Sequence, residues 1–341
     1  MRWARADGCR VWDETGREYL DLTGGFGVAA LGHGNQKIRE AIAAQPVMHA
    51  LGDLAEAETT ARLREALPWP VKFGVTGEDA VEIALRTALL ATGKPGIVAF
   101  DGAYHGTGLL ALAATGLERF REPFAAWLPG PVHRRAYGED PGALPAGTAC
   151  VIVEPVQGRA GARVPPDGFL ETLRSRCDEA GALLVVDAIF TGLGRLGVMW
   201  PGEHVADVLC VGKALGGGLP LSAALFVRRE LADAWKLGRD DVYTHTHVGS
   251  PLACAAALVL LDEVPKLLPR VGEASARFAA AGWQGAGLLR TRRLEAADAF
   301  RRGVLVIPIP ATEAADSLSQ TAPPLTISDQ EIDEALEKLS A

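Results

Sequence analysis

Short and almost unbroken apolar runs recur through the middle of the chain: Gly96-Ile97-Val98-Ala99-Phe100, Cys150-Val151-Ile152-Val153, Leu183-Leu184-Val185-Val186 and Val208-Leu209-Cys210-Val211. A strand with one wet face alternates polar and apolar residues. Runs without alternation therefore predict strands buried on both faces, as in a parallel sheet between helices. Ala55 to Leu67 and Ala80 to Thr92 carry apolar residues at helical spacing instead. This succession predicts an α/β fold with a large, doubly wound domain built on a mostly parallel sheet.

Nearer the start, Cys9 to Leu22 does alternate, broken by the turn Asp13-Glu14-Thr15-Gly16, and predicts a hairpin. An Ala-rich helix is predicted from Pro251 to Val264. Beyond it come Arg-rich helical stretches, a strand-like Gly303 to Pro308 and a helix from about Asp329, while the Pro-rich stretch 308–325 reads as a loop. These shifts divide the chain into an N-terminal segment, 1–45, a large domain, 46–265, and a small C-terminal α/β domain, 266–341.

Composition narrows the function classes. With 341 residues, 48% of them hydrophobic, the chain can bury one large core and a smaller one. Its net charge of -8 is spread without Lys/Arg clusters, so neither nucleic acid nor an anionic membrane is an expected partner. No apolar run approaches the roughly 18 residues of a spanning helix, and Met1 to Asp7 has no apolar signal core. The five cysteines are widely separated and odd in number, which fits a reducing compartment. A soluble, cytoplasmic protein is expected.

The chemistry gathers where buried strands end, the place where open α/β sheets bind ligands. Asp187 directly follows Leu183-Leu184-Val185-Val186. Alone it reads equally well as a turn or helix-cap residue. Lys213 follows the run Val208 to Val211 and precedes Ala214-Leu215-Gly216-Gly217-Gly218. A lysine drawn out of water holds its proton less tightly and becomes an amine suited to Schiff bases. The glycines come after the lysine, which excludes a P-loop, and no dinucleotide fingerprint is present. His245 and His247 alternate, yet no carboxylate or cysteine at suitable spacing completes a metal site.

Val186-Asp187-Ala188-Ile189-Phe190-Thr191-Gly192-Leu193-Gly194-Arg195, together with Gly212-Lys213-Ala214-Leu215-Gly216-Gly217-Gly218, resembles the class III aminotransferases of pyridoxal-phosphate (PLP) fold type I. The resemblance continues through Tyr19-Leu20-Asp21, Leu31-Gly32-His33, Thr76-Gly77-Glu78-Asp79-Ala80, Ala103-Tyr104-His105-Gly106, Glu154-Pro155-Val156-Gln157-Gly158, Gly249-Ser250-Pro251-Leu252-Ala253 and Pro323-Pro324-Leu325. It implies a small domain built from both terminal segments. It also implies pyridoxal 5'-phosphate on Lys213 as a Schiff base, Lys213 as the general base, and Asp187 against the pyridine nitrogen. Tyr104 and Ile189 would flank the ring, and the backbone at Gly77 and Glu78 would hold the phosphate with Thr246 of the partner subunit. A homodimer with shared sites would then move an amino group from an amine or amino acid to a carbonyl acceptor. His33 and His105 fall on motif positions from which no chemistry follows, and a structural role is expected for each.

Departures from the family pattern concern substrate and cofactor. Thr107 stands where many relatives carry a carboxylate-binding arginine, and Gln320 where another is usual. Arg159 replaces a glutamate that masks the latter, so it reads equally as the receptor of a substrate carboxylate or as a solvated arginine on a loop, with His245 and Gln320 as further substrate candidates. Phe190 stands in place of a glutamine that bonds the ring oxygen. Glu78 brings a carboxylate to the phosphate turn, which predicts weaker binding unless its side chain points away. The chain is shorter than is usual in the family at its start and between Pro269 and Leu325. A racemase or aminomutase on the same scaffold, or a non-catalytic relative, would keep the main motifs.

Overall fold

The computed structural model describes residues 1–51, 55–236, 245–310 and 318–340. Its centre is a seven-stranded sheet in the order Val71–Gly74, Ser222–Phe226, Val208–Val211, Leu183–Asp187, Thr148–Val153, Gly96–Phe100, Val132–Arg135. Neighbours from Val208–Val211 to Val132–Arg135 run parallel. Ser222–Phe226 is antiparallel to both strands that flank it.

Each apolar run feeds two cores. Val98, Phe100, Val151, Val153, Leu184 and Val186 belong to one, together with Phe169, Leu173 and Cys177 of helix Phe169–Ala180. Ile97, Ala99, Cys150, Ile152, Leu183 and Val185 belong to the other, under Val81, Ile83, Leu85 and Ala88 of helix Gly77–Thr92. Burial on both faces explains why alternation is missing from these runs.

Two smaller sheets lie beside it. The predicted hairpin is present as Arg10–Asp13 and Glu18–Asp21, extended on one side by Trp3–Asp7 and on the other by Val304–Leu305, which lies parallel to Leu20 and Asp21. The other sheet is antiparallel, in the order Gln284–Ala286, Leu289–Arg293, Leu318–Thr321, Ile307–Ile309.

Two elements differ from the sequence pattern. The helix predicted to end at Val264 runs from Pro251 to Ala280, straight through Pro265 and Pro269. Each proline removes an amide and crowds the preceding turn. Yet Leu260 and Val264 before them, and Val271, Ala274 and Phe278 after them, are all fully buried in one core, and packing outweighs propensity. Within the predicted loop 308–325, Leu318–Thr321 is a strand. Its residues Ser319, Gln320 and Thr321 are polar but buried, so no hydrophobic signal marks it. Residues 311–317 of that stretch lie outside the described residues. Among the described residues no helix is long and apolar enough to cross a membrane.

Candidate active site

The carboxyl ends of Gly96–Phe100, Thr148–Val153, Leu183–Asp187 and Val208–Val211 face one cavity of about 360 Å³. Lys213 opens the tight turn Lys213–Gly216 just beyond the last of these strands, at φ 43. That left-handed conformation is strained for a side chain with a Cβ and is characteristic of functional sites. Its amine lies 4.1 Å from the centre of the Phe190 ring. Burial lowers the Lys213 pKa to about 8, against the opposing pull of the Asp187 and Glu154 charges.

Asp187 ends its strand in the same cavity. One carboxylate oxygen accepts the Ile189 amide at 3.1 Å and the other lies 2.7 Å from Nδ1 of His105. The structural role expected for His105 takes a specific form here: its imidazole holds the Asp187 carboxylate. Glu154 completes this buried group. Burial raises its pKa to about 7, with the His105 charge opposing and the Asp187 charge adding to the rise. Its two oxygens accept the amides of Tyr104 at 3.0 Å and Gly158 at 3.2 Å.

Helix Gly77–Thr92 starts at the cavity wall. The Asp79 carboxylate takes the amides of Val75 and Thr76 at 2.8 and 2.9 Å, while Gly77 and Glu78 are the first two helical residues and have no acceptor inside the helix. Amides so placed, at the positive end of the helix dipole, form an anion site. A Cβ on Gly77 would come within 3.0 Å of Ile189, so the glycine lets Ile189 lie across the helix start.

The Glu78 side chain turns away from this start. One of its oxygens accepts from Thr107 N, Thr107 Oγ1 and Gly108 N at 2.7, 2.9 and 3.0 Å. Two departures from the family pattern, at 78 and 107, thus meet each other. Gly106 permits the contact, since a Cβ there would lie 2.4 Å from that of Glu78.

Arg159 lines the cavity too. Its guanidinium carbon lies 4.7 Å from the ring centre of Tyr104, 5.5 Å from Phe26 and 5.6 Å from Phe120. It makes no hydrogen bond or ion pair with the described residues. Gln320, in contrast, is buried outside the cavity and donates its amide to the Gly158 carbonyl at 2.8 Å, so a substrate role for it is not supported. His245 and Thr246 are exposed and do not line this cavity, and His247 instead meets the ring of His49 at 5.6 Å. His105, Glu154, Phe26 and Phe120 carry no substrate or cofactor role in the sequence pattern. Glu154 ends an apolar run just as Asp187 does and was findable by that signal; the aromatic residues were not.

A lysine with a weakened hold on its proton, a carboxylate fixed by an imidazole and helix-start amides with no acceptor inside the helix are the groups that an aldehyde, a pyridine nitrogen and a phosphate require. They fit pyridoxal phosphate, and fold and site together define a pyridoxal-phosphate enzyme. Residues 1–281 match the family model for Aminotransferase class-III, and the chain belongs to that family. An acetylornithine aminotransferase of Methanopyrus kandleri is 39% identical over 291 residues, covering 80% of this chain and 74% of the relative. A putrescine aminotransferase of Pectobacterium atrosepticum is 34% identical over 314 residues, covering 83% of this chain and 65% of the relative. A PLP-bound amine transaminase from an uncultivated Pseudomonas species superposes with a TM-score of 0.89 at 28% identity, covering 100% of this chain and 94% of that one.

Proposed function

We propose that this aminotransferase acts on an amino donor that carries a carboxylate, with Lys213 as its catalytic base and Arg159 as the carboxylate receptor. The observation that carries the reading is a half-buried amine, shifted to about 8, in one cavity with a carboxylate fixed by His105. When bound, pyridoxal phosphate supplies the electron sink for negative charge on the substrate carbon. Lys213 would hold its aldehyde and, as a free amine, would take up the proton of the substrate carbon that bears the amino group. Asp187 would pair with the pyridine nitrogen. Amides of Gly77 and Glu78 would hold the phosphate, and Tyr104 and Ile189 would flank the ring.

The cavity is completed in a cytoplasmic homodimer, with Thr246 of the partner subunit on the phosphate. The matches to aminotransferases favour transamination over the racemase or aminomutase chemistry that the same residues permit. The test is the visible spectrum of the protein with added pyridoxal phosphate, followed by single amines and amino acids without a carbonyl acceptor. A carboxylate-bearing donor should convert the bound cofactor to its amine form, and Lys213→Ala should abolish the conversion. Conversion by simple amines alone would overturn the assignment of Arg159.

A further inference from the structure

Arg159 is a guanidinium with three aromatic neighbours and, among the described residues, no ion pair. The rings of Phe26, Tyr104 and Phe120 attract the cation and hold it in place without taking up its hydrogen-bonding capacity. Its charge reaches the reacting centre, since it opposes protonation of Lys213. Other candidate partners are already engaged. Glu78 is held by Thr107 and Gly108, and the Gln320 amide by the Gly158 carbonyl. Arg195, a second guanidinium in the region, is buried and donates to the Pro323 carbonyl. Among the described residues that line the cavity, Arg159 is the only arginine, and Lys213 the only other lysine or arginine.

Resting on the reading of Arg159 as a carboxylate receptor, we infer that this one guanidinium serves both half-reactions. Donor and acceptor occupy the cavity in turn, with Lys213 fixing the position of the reacting carbon and the aromatic cage fixing the position of the guanidinium. Both substrates therefore need the same spacing between carboxylate and reacting carbon. A diamine would bring its far ammonium against an unneutralised guanidinium, and the like charges repel. The substrate class is thus a matched pair: an amino acid and an oxo acid of equal reach, with diamines excluded.

The test is calorimetric binding of unreactive straight-chain monocarboxylates, acetate through hexanoate, to the holoenzyme in its pyridoxal-phosphate form and in its pyridoxamine-phosphate form. One chain length should bind best in both forms. Arg159→Ala should weaken that binding by about tenfold or more in both, the scale of a lost hydrogen bond to a charged group, and Arg159→Lys should restore part of it. An unchanged cofactor spectrum and far-UV circular dichroism in the variants show that the fold is retained. Different optimal lengths in the two forms, or a loss confined to one of them, overturns the shared receptor while leaving Arg159 a receptor. Unchanged affinity of Arg159→Ala in both forms overturns the reading of Arg159 itself.

Discussion

The Asp187 carboxylate lies 2.7 Å from Nδ1 of His105, and the two residues are only 4% and 2% exposed. A carboxylate can only accept, so Nδ1 carries the proton. Nε2 is buried and has no hydrogen-bond partner among the described residues. With its other oxygen on the Ile189 amide, the Asp187 carboxylate is held in one orientation.

Replacing His105 by Leu keeps an apolar filling and removes that hydrogen bond. A bond to a charged group contributes about 1.5–3 kcal/mol, so affinity for pyridoxal phosphate should fall roughly 10- to 100-fold. Spectral titration of the apoenzyme measures this; affinity within twofold of wild type would leave His105 no positioning role.

Lys213 carries a pH signature. Its folded pKa of about 8 lies below the ordinary 10.5, so the folded chain holds this proton less tightly than the unfolded one. Folding is opposed fully below pH 8, and the opposition fades as pH rises from about 8 to 10.5. The apo form of Lys213→Met should therefore be more stable than wild type below pH 8, with the difference closing toward 10.5. Urea unfolding of both proteins across that range tests the sign; a difference that widens with pH contradicts it.

The large sheet was legible because strands such as Leu183–Asp187, buried on both faces, leave no polar position to break the run. Lys213 and Asp187 were legible as ionisable residues closing such runs. The helix beyond Val264 was hidden by Pro265 and Pro269, whose local penalty is outweighed by burial of Val271 and Phe278 that no local window reveals. The strand Leu318–Thr321 was hidden because its buried polar side chains are satisfied by distant groups, Ser319 by Leu294 and Gln320 by Gly158. The same distance conceals the Arg159 cage, since Phe26, Tyr104 and Phe120 meet only in the folded chain.

Glu78 gives two separable effects. Glu78→Ala leaves the amides of Thr107 and Gly108 and the Thr107 hydroxyl without their acceptor and should lower stability by about 1–3 kcal/mol in urea unfolding. Glu78→Gln retains an acceptor and removes a negative charge near the helix start, so pyridoxal phosphate should bind at least as tightly as in wild type. Weaker binding of the cofactor to Glu78→Gln would contradict a side chain directed away from the phosphate.

Phe190 and Gly158 are sterically coupled. A Cβ at 158 would lie 2.4 Å from Phe190 Cδ1, and one at Gly27 would lie 3.0 Å from Cε2. Gly158→Ala should displace the ring from Lys213 and destabilise the protein by about 1–3 kcal/mol, as overpacking does. Combining it with Phe190→Ala should cost less than the two changes summed; strict additivity in the double-mutant cycle would show that the ring has room to move.

The parallel pairing of Val304–Leu305 with Leu20–Asp21 sets an order of events during synthesis. The hairpin emerges from the ribosome early, with the outer edge of Glu18–Asp21 unpaired. Its partner follows on the order of tens of seconds later at ordinary elongation rates. Until then that edge is open to a neighbouring nascent chain, the hazard of any uncovered strand. The central sheet, whose last strand ends at Phe226, can form in the interval, which makes the closing of this small sheet a late, long-range step of maturation.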